Sequence, residues 1–387
     1  MADFIPYVNT ERDCRILARY YSDARYVRVS CENLPKTSKH LGQFPLWLDA
    51  GVDALDKWPN VNDNFKHYMA GWTAVDKIAD PGFQLKPTAS AVSVFVSDVL
   101  GVAAQLAPVL LSVPQLPVVF GNERNKINRQ LAYASATWKA ADKFAGKFVL
   151  PIVITHSSQI KLKAERTKRL ELAKQCIEGS GAEFVWVADA SLNDQDGSST
   201  LESSKFPSLI AFHEELCQRL GDTSTIIAGP YWGFNLVLWC RGLIQHPAIG
   251  LGNAYQYHLP GGFAKQSKSR IALPSLRRWA IASSQLKGWL EDAVPKLSHN
   301  EHVSAEFAAI LKHYPQISLD GRVQVAAFYK NWFSKIDAVP KPGRALAMYQ
   351  DLSSAYVLGK GLPELPGDEG TARRPEKVSK QLMMFCL

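Results

Sequence analysis

The sequence lacks the short motifs by which many enzyme classes are recognised. None of its six cysteines forms a C-x-x-C pair, which argues against a zinc ribbon or a dithiol redox site. The P-loop pattern G-x-x-x-x-G-K-[ST] is absent, and neither H-x-H nor H-E-x-x-H occurs. The first residues, MADFIPYVNTERD, contain no secretory apolar segment. These absences predict a cytoplasmic protein with reduced cysteines and leave the reaction class open.

The sequence also lacks an uninterrupted apolar run of the kind that crosses a membrane. Residues 99–120 have the necessary length, but Pro108, Pro114 and Pro117 interrupt them and Gln105 lies among them. We therefore expect a buried helix followed by a buried strand here, and no membrane association.

The composition is that of a globular protein with an excess of positive charge. Of the 387 residues, 47% are hydrophobic and 21% are charged, which suffices for a sizeable core. The formal net charge is +8, and a positive field attracts polyanions. The charge favours nucleic acid or a nucleotide as a partner, and a basic surface without such a partner is the alternative.

Short apolar segments alternate with helical patterns over most of the chain. The segments are apolar on both faces, as in parallel strands buried on both sides. Eight of them predict a (β/α)8 TIM-like barrel over residues 1–262, with an open doubly wound sheet as the rival fold. A helical C-terminal region is predicted for residues 263–358, and a flexible tail for residues 359–387, which are rich in proline, glycine and charge. The predicted strands are residues 4–8, 26–30, 44–49, 116–120, 148–155, 183–188, 225–228 and 248–251.

Residues 229–262, GPYWGFNLVLWCRGLIQHPAIGLGNAYQYHLPGG, are predicted to close the barrel. The helix expected at residues 234–245 is apolar almost all round, so its outer face needs a cover. We expect the C-terminal region to supply that cover, with helices at residues 276–290, 303–313 and 321–335.

Polar side chains follow nearly every predicted strand, and barrel enzymes place their chemistry at these strand ends. Asp49 and Asp189 directly follow FPLWL and EFVWVA, and His156 follows IVIT. A carboxylate or an imidazole held at such a position can transfer protons, so we predict these three residues as catalytic. The alternative is a helix cap or a loop hydrogen bond.

Other side chains at the same end of the barrel are predicted to bind a ligand. Arg124 opens a helix, where an anion binds readily, and the aromatic residues could stack on a base or a sugar. Packing of these aromatic residues against the C-terminal helices is the alternative. The carboxylates and histidines could also hold a divalent metal, although no spacing motif supports one. The predicted ligand-binding residues are Glu123, Arg124, Asn193, Asp194, Tyr231, Trp232, Asn253, Tyr255, Tyr257 and His258.

A basic stretch follows the last barrel loop, in the sequence KQSKSRIALPSLRRW. Its position beside the barrel end makes it the better candidate for a polyanion surface. The predicted nucleic-acid-binding residues are Lys265, Lys268, Arg270, Arg277 and Arg278.

The opening FIPYV, the barrel-like alternation and the aromatic strand end GPYWG resemble the beta protein family, which is named after a protein of phage T4. The resemblance spans about residues 3–260. It implies a role in phage–host conflict or antiviral defence, and no particular chemistry.

The leading hypothesis is a barrel enzyme, such as a hydrolase, that acts on a nucleic acid or nucleotide by acid/base chemistry. The alternative is a non-catalytic subunit that binds nucleic acid or other protein subunits in a defence complex. A third hypothesis is a sugar hydrolase. Its mechanism requires two carboxylates that face each other across the mouth.

Overall fold

Eight parallel strands close into a barrel in the order of the chain. The computed structural model describes residues 3–42, 44–50, 63, 66, 88–114, 123–192, 200–231, 233–251, 269–297, 299–366 and 373–387. The closed barrel confirms the predicted (β/α)8 fold and excludes the open sheet. The strands are β1 (Ile5–Val8), β2 (Val27–Ser30), β3 (Leu46–Asp49), β4 (Leu110–Ser112), β5 (Lys147–Ile154), β6 (Phe184–Asp189), β7 (Thr225–Ala228) and β8 (His246–Gly250).

The fourth strand lies earlier in the chain than the sequence predicted. Strand β4 pairs with both β3 and β5, so it holds the place in the barrel that was assigned to residues 116–120. Those residues lie outside the described part of the chain. The preceding helix ends at Leu106, because Ala107 adopts a left-handed conformation (φ 44°) and Pro108 follows. The residues on both sides of this break are apolar, so the hydropathy pattern alone does not show where the helix ends.

Helices cover the outside of the barrel. The first begins with a capping box, in which Thr10 and Asp13 each accept a hydrogen bond from the other's backbone N–H. Helix α3 (Ala89–Leu106) is long and apolar enough to cross a membrane, but here it packs on α4 (Glu123–Lys139) and buries much of one face. The helices are α1 (Glu11–Tyr20), α2 (Leu34–Leu41), α3 (Ala89–Leu106), α4 (Glu123–Lys139), α5 (Ser158–Lys161), α6 (Lys163–Ser180), α7 (Thr200–Leu220) and α8 (Phe234–Cys240).

The C-terminal region consists of a β-hairpin and helices. Strands β9 (Arg270–Leu273) and β10 (Arg278–Ile281) pair antiparallel around a turn in which Arg277 has a φ of 53°. The helix predicted at residues 276–290 is therefore wrong over its first half, since β10 occupies that part. The helices are α9 (Ser284–Lys296), α10 (Glu301–Lys312), α11 (Tyr314–Leu319), α12 (Arg322–Asp337), α13 (Arg344–Lys360) and α14 (Lys377–Met383).

The C-terminal helices cover the outer face of α8, as the sequence predicted. All seven residues of α8 are buried. The Trp239 ring lies 4.7 Å from that of Phe333 on α12, and the Phe234 ring lies 5.9 Å from that of Phe385. Within the predicted tail, Leu382 and Cys386 are buried in the same core. The flexibility of residues 359–387 and the domain bounds stay predictions.

Candidate active site

The barrel interior contains a layer of aromatic and charged side chains. Strand residues alternate between the two faces of the wall, and Tyr7, Arg28, Trp47 and Trp186 point inwards. Barrel interiors are commonly filled by branched apolar side chains. This layer therefore departs from the usual filling.

Arg28 lies at the centre of this layer. It is 1% exposed, and its guanidinium carbon is 4.0 Å from the ring centroids of both Tyr7 and Trp186. The Trp47 ring is 5.3 Å away. Its Nη2 donates a hydrogen bond to Oδ2 of Asp49 in a buried ion pair. Aromatic faces attract a cation, so rings and carboxylate together hold the charge inside the barrel.

The two tryptophans of the layer are themselves fixed by hydrogen bonds. Trp47 donates from Nε1 to Oγ of Ser112 (3.1 Å), and Trp186 donates from Nε1 to the Gly229 carbonyl (2.8 Å). Their rings meet edge to face, with centroids 5.4 Å apart and an interplanar angle of 82°. The surroundings of Arg28 are therefore rigid.

Asp49 connects this layer to the C-terminal mouth of the barrel. It is the last residue of β3, is in register with Ser30 at the end of β2, and is 4% exposed. Beside it, Asn33 donates from Nδ2 to Oγ of Ser30 (2.8 Å) and to Oδ1 of Asn9 (3.2 Å). The ends of β1, β2 and β3 thus present a connected group of polar side chains.

Sequence reasoning found Asp49 but missed Arg28. The signal was present in YVRVS, because an arginine in a strand that is apolar on both faces must be buried. A buried arginine needs a carboxylate partner, and Asp49 ends the neighbouring strand.

The predicted catalytic residue His156 lies on the exposed rim after β5. Its Nδ1 is 2.7 Å from Oγ of Ser158 and accepts a hydrogen bond from the Ser158 backbone N–H (3.3 Å). With Nδ1 as the acceptor, the neutral imidazole carries its proton on Nε2. The ring is therefore oriented and able to donate.

The structure places Asp189 on the other face of the wall from Asp49. Its neighbours Ala188 and Ala190 belong to the interior cluster, so Asp189 points outwards. Its Oδ1 accepts hydrogen bonds from the backbone N–H and hydroxyl of Ser191 (2.7 and 2.6 Å) and from the Leu192 N–H (3.2 Å). This is the loop-stabilising role that was the alternative to catalysis.

Tyr231 also lies in the outer layer rather than at the mouth. It is 4% exposed, and its hydroxyl donates to the Val187 carbonyl (2.8 Å). Its ring packs against His213 of α7 and Phe234 of α8. Burial and, to a smaller degree, the charge of Asp189 raise the pKa of the Tyr231 hydroxyl well above its usual value. The tyrosine packs against protein, as in the alternative to stacking.

Three arginines of the basic stretch contact the protein itself. Arg270 lies over the Trp279 ring at 4.2 Å, and Arg277 makes two hydrogen bonds to the Asp351 carboxylate (2.5 and 2.7 Å). Arg278 is 0% exposed and donates to the Trp279 and Arg374 carbonyls. Arg277 and Arg278 therefore have partners within the protein, and their role in nucleic-acid binding stays a prediction.

The other predicted site residues are not placed by the structure. Glu123 and Arg124 begin α4, but their side chains are not described. Within the described ranges there is no group of three or more histidine, cysteine or carboxylate side chains that could hold a metal. The remaining predicted site residues lie outside those ranges, and their roles stay predictions. They are Asn193, Asp194, Trp232, Asn253, Tyr255, Tyr257, His258, Lys265 and Lys268.

Comparison with known proteins adds little. No family model matches the chain, and no curated protein matches it. The crystal structure of a probable tagatose 6 phosphate kinase from Sinorhizobium meliloti 1021 aligns over 99% of this chain and 98% of its own. The identity is 12% and the TM-score is 0.32, which supports no inference about activity. The resemblance to the beta protein family stays a prediction.

Proposed function

We propose that the chain is a (β/α)8-barrel enzyme in which Asp49 transfers a proton at the C-terminal mouth, and that its substrate is a nucleotide or a nucleic acid. The observation that carries the proposal is the Asp49 carboxylate, which lies at a strand end, faces the interior and is bound by the buried Arg28. This is the end of the barrel where enzymes of this fold have their active sites.

Stability alone is a poor reason for this arrangement. Two charges taken out of water lose solvation, and replacing a buried ion pair by apolar side chains is often neutral or stabilising. A barrel filled by branched apolar residues would avoid that cost. Groups that a purely stabilising core would not contain, such as a buried ion pair, are found mainly at functional sites.

The geometry suits a general base. The guanidinium binds Oδ2 of Asp49, which fixes the orientation of the carboxylate. A carboxylate paired with a cation accepts hydrogen bonds, and this is the form that removes a proton from a hydroxyl or a water molecule. On the rim, the Nε2–H of His156 could donate to the substrate or the leaving group.

The substrate class rests on the charge of the chain. The net charge of +8 favours an anionic substrate, and phosphates are the groups that nucleotides and nucleic acids present. A role in phage–host conflict belongs to the proposal only through the resemblance to the beta protein family.

The alternative is a binding subunit without catalysis. It is favoured by the outward orientation of Asp189, because the second carboxylate that was predicted beside Asp49 points to the other face of the wall. Among the described residues, the same observation removes Asp189 as the second of the two carboxylates that the sugar hydrolase requires across the mouth.

The test compares Asp49→Asn with Asp189→Asn, which removes a matched charge from the outer face. Purified wild-type protein is assayed with DNA, RNA, nucleoside triphosphates and a chromogenic phosphodiester, each with and without Mg²⁺. We expect Asp49→Asn to lower kcat about 10²- to 10⁴-fold, as for loss of a general base, and Asp189→Asn to leave kcat close to wild type. Circular dichroism of both variants verifies that they are folded.

Equal turnover by wild type and Asp49→Asn would contradict the acid/base role. If the wild type binds nucleic acid but converts none of these substrates, and Asp49→Asn binds equally well, the binding-subunit alternative is favoured.

A further inference from the structure

A cavity of about 710 Å³ lies at the N-terminal face of the barrel, at the opposite end from Asp49. Its walls include Asp3, just before β1, Arg25, just before β2, and Thr225 and His246, the first residues of β7 and β8. Residues of the segment 341–345, together with Cys386 and Leu387, also line it. The volume falls in the range of about 300–1,000 Å³ that is typical of small-molecule sites.

Four cationic side chains converge on this cavity from separate segments. They are Arg25, Arg241, Lys341 and Arg344. In the described part of the chain, no carboxylate lies within ion-pair distance of Arg25 or Lys341. The lining itself contains the side-chain carboxylate of Asp3, and it also includes Leu387, the last residue of the sequence.

The other two arginines are held in place by partners behind the cavity. Arg241 donates from Nη2 to Glu214 (2.7 Å), and Arg344 donates from Nη2 to Asp337 (2.5 Å). The Arg344 guanidinium also lies over the Trp239 ring at 4.2 Å. Such anchoring limits the entropy that these side chains lose when they bind an anion.

The polar groups around the cations are likewise fixed. Nδ1 of His246 is 2.8 Å from the Asp3 carbonyl, and the Gln245 side chain accepts a hydrogen bond from the Ile226 N–H at 2.7 Å. Trp239 and Ile244 supply apolar wall beside them. Cations, polar groups and apolar wall together match a ligand with phosphate groups on a less polar body.

We infer that this cavity binds a small phosphorylated molecule as a second ligand, distinct from any substrate at the mouth. Catalysis in barrels of this kind takes place at the C-terminal face. A ligand at the N-terminal face would therefore act as an effector or a stabilising ligand. The inference does not depend on the proposed function.

The test is isothermal titration calorimetry with inorganic pyrophosphate on the full chain, at constant ionic strength. The test variant is Arg25→Ala/Lys341→Ala, which removes two exposed cations that lack ion pairs in the described structure. The control variant is Lys168→Ala/Lys174→Ala, which removes the same charge from exposed positions on α6. We expect the test variant to bind pyrophosphate at least about tenfold more weakly, and the control variant to bind like the wild type.

Three outcomes would overturn the inference. The wild type could release no heat of binding, the test variant could bind as tightly as the wild type, or both variants could lose affinity equally, as expected for general attraction to a basic chain. Asp49→Asn separates this site from the mouth, because it should keep pyrophosphate binding even if it abolishes activity. If Asp49→Asn alone lost binding, the ligand would lie at the mouth.

Discussion

Asp49 and Asp189 look alike in the sequence and lie on opposite faces of the barrel wall. Each ends an apolar strand that contains a tryptophan, LWLD in β3 and FVWVAD in β6. The two tryptophans meet inside the barrel. Asp49 follows Trp47 by two residues and shares its face, whereas Asp189 follows Trp186 by three residues and takes the other face. The spacing to an inward-facing residue, and not the strand end itself, decides which carboxylate enters the barrel.

The two faces also differ in how they treat charge. Inside, Arg28 stabilises the Asp49 carboxylate in an ion pair surrounded by aromatic rings. Outside, the Asp189 carboxylate binds a turn, and the neighbouring layer keeps His213 uncharged, since burial lowers the pKa of its imidazole to about 3. The inner face therefore holds a paired charge, while the outer face holds groups that serve packing and loop structure.

The largest effect should come from breaking the inner pair. Arg28→Met leaves the Asp49 carboxylate buried without its cation, and we expect it to lower the free energy of unfolding by about 3–5 kcal/mol. Urea unfolding followed by tryptophan fluorescence measures this loss.

The double variant Arg28→Met/Asp49→Leu serves as the control, because it removes both charges. It should recover most of the lost stability, since an apolar pair of similar volume incurs no desolvation cost. If Arg28→Met changed the free energy of unfolding by less than about 1 kcal/mol, the pair would be solvated and the distinction between the two faces would weaken.

Much of the fold could be predicted because strand segments that are apolar on both faces have few alternatives. The barrel followed from their number and order. Strand β4 could not be placed, because it has three residues and continues an apolar run, in which only Ala107, Pro108 and Val109 separate it from α3. The β9–β10 hairpin was missed for a similar reason, since a single left-handed residue, Arg277, reverses a chain that otherwise resembles a helix.

The candidate site was predicted only in part. Asp49 was found by its place at a strand end. Arg28 lies in the middle of its strand and so gives no strand-end signal, and the position of Asp189 at a strand end does not tell which face of the wall it occupies. The face of the wall on which a strand residue lies depends on how neighbouring strands pair. A strand's own sequence gives that face only when one inward-facing residue of the strand, such as Trp186, is known.

An intermediate effect is expected from acid at the outer face. In the described structure neither ring nitrogen of His213 has a hydrogen-bond partner, and the side chain is 0% exposed. Its pKa is lowered in the folded protein, so the unfolded chain binds a proton first as the pH falls below about 6.5. The contribution to stability is therefore complete above that pH and is lost progressively down to about pH 3.

His213→Leu removes this titration. Between pH 7 and pH 5 we expect the folding equilibrium constant of the wild type to fall by more than about tenfold relative to that of His213→Leu. Urea unfolding of both proteins at each pH measures the difference. Parallel pH profiles would show that His213 is solvated or paired in the folded state, and the outer layer would then tolerate charge as the inner one does.

The smallest effect should come from Asp189, and it sharpens the comparison because the same substitution should destabilise the two strand ends by different amounts. Asp189→Asn keeps an oxygen at Oδ1, which still accepts from Ser191 and Leu192, so we expect a loss of at most about 0.5–1 kcal/mol in the free energy of unfolding. Asp189→Ala removes the acceptor and should cost about 1–2 kcal/mol. At Asp49 the same exchange to asparagine removes the charge that Arg28 binds, so it should cost more than at Asp189. If the two asparagine variants lost equal amounts of the free energy of unfolding, the loss of one negative charge would explain both effects. The outward orientation of Asp189 would then not distinguish it from Asp49.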